Sequence, residues 1–533
     1  MTCMRNALLT VILVGGSFAQ QPPVFDVLIE GGRVLDGAGT PWFRADVAIR
    51  GDKIAAIGRL EGAQATLRLD ARGLVVAPGF IDIHTHARRG IFQVPTAENY
   101  IRQGVTTLIE GQDGSSPLPL GAFLEKVART RIAVNFGMLA GQGSIREAVM
   151  GRENRRAAPQ EIERMKALVR QAMREGAFGL STGLFYVPGN YTPTEEVIEL
   201  AREAGRLGGI HISHMRDEAA GILESVRETI RIGEEGGLPT QLTHHKIIGL
   251  ANWGRSRDTL RLVEEARARG VDVTIDQYPY TASSTGTSAL IPQWAQAGGR
   301  QAMLARLRDP AARAQIKATV VERIRNDRGG GDPKNVVLAN CGFDPSLAGK
   351  NLAQLTEQRG QPGTIENAAE VLLEIEERGG CQAVYHAIAE QDVERILRSP
   401  FTMIASDGEI PEFGRGSPHP RSYGTFARVL ARYVRERKVL TLEEAVRKMT
   451  SLPAARLGLP DRGLLRPGMQ ADLAVFDPLS VADGATFDQP HQYAEGFRHV
   501  LVNGRPVILD GELTNERPGR VLYGPAWRRE SPH

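Results

Sequence analysis

Between residues 80 and 406 the chain repeats one unit: a short run of apolar and β-branched residues, then a longer stretch with helical periodicity. Eight such runs are readable, at 80–86, 105–110, 132–138, 177–182, 210–214, 240–244, 272–275 and 402–406. In the stretch 161–175, Ile162, Met165, Leu168, Val169 and Ala172 form a stripe of 3.6-residue period, and Thr194-Glu195-Glu196 opens the next helix with a cap-like threonine. Strictly alternating strands and helices give parallel strands joined by crossovers, and eight strands close into an α/β (β/α)8 TIM-like barrel over 78–460. The alternative, an open doubly wound sheet, lacks the glycine fingerprint of dinucleotide binding. The stretch from Thr281 to about Arg398 exceeds one crossover. It is read as an inserted lobe near 285–340, with Gly329-Gly330-Gly331 as a flexible joint.

Both ends of the chain read as β structure. Residues 24–77 alternate in hydrophobicity between turn signals such as Gly31-Gly32, Asp36-Gly37 and Gly51-Asp52. The pattern returns in 463–520, where Val500-Leu501-Val502 meets the hairpin signal Asn503-Gly504. The two segments are expected to build one small β-sandwich domain. Ahead of them, Arg5, the apolar run 7–18 and Ser17-Phe18-Ala19 read as a signal peptide over 1–19, which implies a periplasmic or secreted protein. That run is too short for a comfortable membrane span, so no stable span is expected after cleavage. Cleavage leaves Cys341 and Cys381, which can pair outside the cytosol. A net charge of +3 spread along 533 residues, with no Lys/Arg block, gives no indication of nucleic-acid binding.

In such a barrel the reacting groups sit at the C-terminal strand ends. Here the first run ends in His84 and His86, which share one face of an extended chain because its side-chain period is two. The second ends in Glu110, the fifth in His214, the sixth in His244 and the eighth in Asp407. These are nitrogen and oxygen ligand types that zinc prefers. Parity sets Lys246 on the face of His244 and turns His245 away; His211 likewise opposes His214. His211 and His245 are read as supporting residues, His491, His499 and His533 as unrelated to the site, and His386 and His419 stay open. The fourth run, Phe178 to Gly183, offers no Lys or Glu to bridge two metals. Glu110 is the carboxylate best placed to do so, with Asp113 as its rival.

These residues resemble the amidohydrolase superfamily, whose first-strand signature is matched by Pro78-Gly79-Phe80-Ile81-Asp82-x-His84-x-His86. The closer resemblance is to the D-aminoacylase (N-acyl-D-amino-acid deacylase) family. It rests on Gly104-Val105-Thr106-Thr107, Gly179-Leu180-Ser181-Thr182-Gly183-Leu184, Ser213-His214-Met215-Arg216-Asp217-Glu218, Thr243-His244-His245-Lys246, Asp276-x-Tyr278-Pro279-Tyr280, Ser406-Asp407-Gly408 and His419-Pro420-Arg421. The resemblance implies one or two Zn2+ ions per chain, with His84, His86, His214 and His244 as ligands and Asp407 as the catalytic acid/base. It also implies Lys246, a tyrosine of the Tyr278-Pro279-Tyr280 motif, taken as Tyr278, and Arg421 as a clamp on the substrate carboxylate. Two positions depart from the family pattern: Asp113 stands where a metal-binding cysteine is common, and Arg88 where an acidic residue is common.

The expected activity is removal of the acyl group from N-acyl-D-amino acids by metal-bound hydroxide, with Asp407 taking the proton and then giving it to the leaving nitrogen. A dipeptidase or hydantoinase-like cyclic amidase fits the same residues, and a non-catalytic binding protein on this scaffold is a further alternative.

Overall fold

The computed structural model describes residues 24–528. The signal segment read at 1–19 lies outside the described residues. Eight parallel strand positions form a closed barrel. Six of them, in the order Thr402–Ile404, Val273–Gln277, Thr240–Leu242, Ile210–His214, Gly179–Gly183 and Ala140–Gly141, make one hydrogen-bonded sheet. Phe80–Asp82, Val105–Glu110 and Asn135–Met138 make another. The third strand carries the sheet onward, since Asn135–Met138 runs into Ala140–Gly141 and the Phe178 N–H donates to the Met138 carbonyl at 2.8 Å. The last seam closes between the first and eighth strands. There the Asp407 N–H donates to the His84 carbonyl at 2.9 Å and the His86 N–H to the Gly408 carbonyl at 2.7 Å. The buried Asp82 carboxylate reinforces the seam by accepting the N–H groups of His84 at 3.2 Å and Ser406 at 3.0 Å.

Each strand is buried along its whole length, which is why the strands read as nearly unbroken apolar runs. The helices between them bury one stripe. In Pro159–Arg174 that stripe is Met165, Val169, Ala172 and Met173. In Thr194–Arg206 the threonine does not cap: it is the first helical residue, and its hydroxyl donates to Glu228 at 2.7 Å.

Strands from both ends of the chain share a nine-stranded sheet, in which Leu473–Phe476 pairs with Val75–Pro78. Its longest strand, Val24–Val34, pairs through its first half with Gln64–Asp70 and through its second with Val75–Pro78. The change of partner falls at Gly31-Gly32, where Gly31 has φ +68° and the register against Phe43–Arg50 shifts. A bulge there bends the strand so that two partners can follow one another on the same edge.

The inserted lobe is larger than the sequence suggested. It runs from Ser283 to Tyr385, with a three-stranded antiparallel sheet, the helices Pro310–Asn326 and Ile365–Arg378, and an apolar core of its own. Cys341 and Cys381 are joined in a disulfide within it. Gly329-Gly330-Gly331 is a packed turn and not an open joint. The N–H of Gly329 donates to the Arg323 carbonyl at 3.2 Å and that of Gly331 to the Ile324 carbonyl at 3.0 Å. A Cβ at Gly329 would collide with the Ile324 backbone, and one at Gly330 with the His386 carbonyl.

Candidate metal centre and substrate cavity

Four imidazoles and two carboxylates converge at the C-terminal mouth of the barrel. Asp407 Oδ1 lies 3.3 Å from His84 Nε2 and 3.1 Å from His86 Nε2. Asp113 Oδ1 lies 3.4 Å from His214 Nδ1, 3.3 Å from His244 Nε2 and 3.8 Å from His84 Nε2, while its Oδ2 lies 3.4 Å from His86 Nε2. Two ligand groups result, His84/His86/Asp113/Asp407 and Asp113/His214/His244, with Asp113 common to both. The donor set fits a divalent ion of the zinc type. Buried His84 Nε2 and Asp113 Oδ1 have no hydrogen-bond partner, a costly arrangement that a cation between them would relieve.

The ring orientations follow from the groups behind them. His84 Nδ1 lies 2.6 Å from the Thr243 hydroxyl, whose only hydrogen goes to Asp276 Oδ2 at 2.6 Å. Thr243 can therefore only accept from His84, so Nδ1 carries the proton and Nε2 keeps its lone pair for a metal. Glu218 stands behind two more rings: its Oε1 lies 3.2 Å from His244 Nδ1, which Lys246 Nζ also approaches at 2.8 Å, and its Oε2 lies 3.5 Å from His214 Nε2. Both rings then present their other nitrogen to Asp113.

The electrostatics have the same sense. Burial disfavours charge on His86, but Asp113 and Asp407 outweigh it and hold the ring at about 9. His214 goes the other way, lowered to about 4 chiefly by burial. Asp407 is held well below the usual carboxylate range: burial opposes this, and Arg421 and His84 overcome it.

Three of these residues, Asp113, His244 and Asp407, have φ of +55°, +35° and +52°. Aspartate tolerates that region; a histidine there carries strain of about 1–3 kcal/mol, which clusters at functional sites. It also explains how His244 enters the site although the strand stops at Leu242.

Glu110 is not brought to the cluster. Its carboxylate is buried on the loops beside it, accepting the N–H of Arg88 and of Gly111, each at 2.9 Å. The chain leaves the strand after Glu110 through Gly111 at φ +86°, and the turn delivers Asp113 instead. Arg88 is part of the same brace, donating to the Ser115 carbonyl and hydroxyl at 2.8 Å each. His211 is held between Thr182 and Thr240, and His245 against Thr259, away from both ligand groups. His419 donates through Nε2 to the Ala282 carbonyl at 3.0 Å and accepts the Arg421 N–H through Nδ1 at 3.0 Å.

A cavity of roughly 330 Å³ opens over the cluster, large enough for a small-molecule ligand, and His86, Asp113, Asp407 and Arg421 line it. Arg421 pairs with Asp407 Oδ2 at 2.7 Å and lies 4.8 Å from the centre of the Tyr278 ring. Lys246 Nζ lies 5.7 Å from the same ring, 2.8 Å from His244 Nδ1, and in contact with Glu218. The buried Tyr278 hydroxyl has no partner, whereas that of Tyr280 donates to the Pro420 carbonyl at 3.4 Å. Arg421 thus lines the cavity beside the ligand groups, with Lys246 and the free Tyr278 hydroxyl buried behind it; Arg421 is paired with Asp407 and Lys246 with Glu218. Replacing Arg421 by Met should raise KM for carboxylate-bearing substrates by about tenfold or more while changing kcat less, the sign of lost uniform binding. Steady-state kinetics check this, and an unchanged KM would remove Arg421 from carboxylate binding. Glu218, which supports two of the rings, was not assigned by sequence reasoning; its place four residues after His214 was the available signal.

Residues 69–508 match the model of the amidohydrolase family. The chain is similar to the D-aminoacylase of Alcaligenes xylosoxydans xylosoxydans, 40% identical over 521 residues, covering 93% of this chain and 97% of that protein. It is 37% identical to the N-acyl-D-glutamate deacylase of the same organism, over 93% of this chain and 96% of that one. The crystal structure of N-acyl-D-glutamate deacylase from Bordetella bronchiseptica, complexed with zinc and a phosphonate inhibitor that mimics the tetrahedral intermediate, superposes with a TM-score of 0.81. It is 35% identical, covering 94% of this chain and 100% of that chain.

Proposed function

We propose, from the premise that this chain belongs to the amidohydrolase family and to its D-aminoacylase branch, that it is a zinc-dependent enzyme removing the acyl group from N-acyl-D-amino acids. The observation that carries the reading is the pair of ligand groups that share Asp113, with Asp407 and Arg421 on the wall of the cavity above them; Lys246, Tyr278 and Arg421 are the residues we assign to the substrate carboxylate. The relatives named D-aminoacylase and N-acyl-D-glutamate deacylase, and the zinc in the related structure, support it.

His84, His86, His214, His244, Asp113 and Asp407 are the residues that would hold zinc. When bound, zinc supplies Lewis acidity, polarising a carbonyl and lowering the pKa of water to about 7. The rest is the work of the chain. Lys246, Tyr278 and Arg421 fix the amino-acid end of the substrate, so that its amide lies over Asp407. Asp407, ionised and held at the cavity wall, accepts the proton of the attacking water and returns it to the departing nitrogen. Arg421 contacts Asp407 and is assigned to the substrate carboxylate, so binding of that carboxylate and readiness of the base are linked through one side chain. The test is a hydrolysis screen over paired N-acyl-D- and N-acyl-L-amino acids with bound metal measured alongside. Zinc-loaded protein that cleaves neither hand would refute the reading.

The compartment we infer is periplasmic or extracellular. Arg5, the apolar run 7–18 and Ser17-Phe18-Ala19 support it, as does a disulfide inside the lobe, since such bonds persist in oxidising surroundings. Protein recovered from the periplasm or medium should begin at Gln20 and show no free thiol. An intact N-terminus on protein retained in the cytoplasm would contradict it.

A further inference from the structure

We propose that Arg328 of the inserted lobe is a positioning residue for substrate binding, holding Glu218 so that Lys246 is left for the substrate carboxylate. The inference rests on the deacylase reading. Its basis is how one buried carboxylate is shared. Glu218 is 2% exposed, and each of its oxygens faces one cation and one histidine: Lys246 and His244 on Oε1, Arg328 at 3.1 Å and His214 on Oε2. Glu218 is the one carboxylate in ion-pair contact with Arg328 among the described residues. Two cations share that carboxylate where water is excluded, and the next carboxylates, Asp407 toward Lys246 and Asp327 beside Arg328, stand beyond ion-pair distance; a substrate carboxylate would be a further partner for Lys246.

Arg328 is well held for this task. It is 2% exposed, and its guanidinium lies 4.3 Å from the centre of the Phe185 ring, on the loop that follows the fourth barrel strand. Its backbone leads directly into the packed glycine turn 329–331, where contacts at Gly329 and Gly330 leave no room for a Cβ. The lobe thus delivers a fixed charge to the C-terminal mouth of the barrel. Without it, Lys246 becomes the only cation on Glu218. The ammonium, already in contact with Oε1, then meets the whole charge of that carboxylate and has less attraction left for a second one.

The test uses full-length zinc-loaded protein and two probes, N-acetyl-D-leucine and its neutral analogue N-acetyl-D-leucinamide. Arg328→Met is compared with Arg328→Lys, which keeps a charge in the same cavity; Arg328→Gln replaces the Met variant if that fails to fold. KM for the carboxylate should rise about tenfold or more in Arg328→Met, with kcat changed less and with zinc content and the kinetics of the amide unchanged. Arg328→Lys should recover most of the loss. Calorimetric titration of both probes in the Asp407→Asn background gives the same comparison without turnover. The parent should prefer the carboxylate and Arg328→Met should lose that preference. Equal losses on carboxylate and amide, an unchanged KM, no rescue by Lys, or no carboxylate preference in the parent would each overturn the inference. If the parent binds the acid but cleaves no N-acyl amino acid, the deacylase reading falls, and the titrations still decide on Arg328.

Discussion

Asp407→Asn should lower kcat by about a thousandfold or more while zinc remains bound. The substitution suits the site. Asparagine keeps the size and one oxygen of aspartate, and it tolerates the left-handed backbone that Asp407 adopts at φ +52°. It therefore removes the ability to take a proton without adding strain. Five other ligating side chains remain, four of them imidazoles, so the metal keeps most of its donors. Arg421 loses an anionic neighbour but keeps its own charge for the substrate, so KM for a carboxylate substrate should move less than kcat. Steady-state kinetics and metal analysis on one preparation check both halves. Retained turnover would take the acid/base role away from Asp407, and loss of zinc together with turnover would make it chiefly a ligand.

Asp113→Asn should have the largest effect on metal binding. Asp113 is common to both ligand groups, and its two oxygens face four imidazoles. Removing its charge withdraws the anion that draws a cation to either position. Outer partners of metal ligands are already worth 10–100-fold in affinity, so a shared ligand should cost more than about 100-fold. Glu110→Gln is the control: it breaks the brace with Arg88 but touches neither group, and should lower thermal stability while leaving zinc stoichiometry alone. Zinc titration followed by metal analysis distinguishes them. Full zinc retention in Asp113→Asn, or zinc loss in Glu110→Gln, would reverse the two assignments.

The contrast between these two carboxylates shows what could be read in the sequence and what could not. The barrel was legible because parallel strands buried on both faces are nearly continuous apolar runs, and because strand ends carry the chemistry. His84, His86, His214, His244 and Asp407 all stand at such ends, and the structure brings them together. Glu110 was favoured because it closes its strand with the parity of Thr106 and Leu108. That parity ends where the strand stops, and Gly111 turns the chain so that a loop residue, Asp113, faces the rings. The extent of the lobe was missed for a similar reason: helices and short strands after residue 340 belong to its core, and nothing local in the sequence says which core an amphipathic helix joins. Arg328 had no local signal at all. Its partner Glu218 is 110 residues away, and the glycines beside it suggested mobility where the fold uses them for close contact.

The seam between the first and eighth strands has one more implication. The residues that complete the ring of strands, Asp82 to His86 and Ser406 to Gly408, include ligands and their immediate neighbours, and the Ser406–Asp82 bond among them spans 324 residues of chain. A nascent polypeptide cannot assemble this cluster until nearly all of the barrel has been synthesised, and contacts of such long sequence separation form slowly. An ion held by His84, His86 and Asp407 would therefore act as a rivet through the last joint of the cylinder. Its binding free energy would also be free energy of ring closure, so that loss of the ion and loosening of the scaffold would be one thermodynamic event.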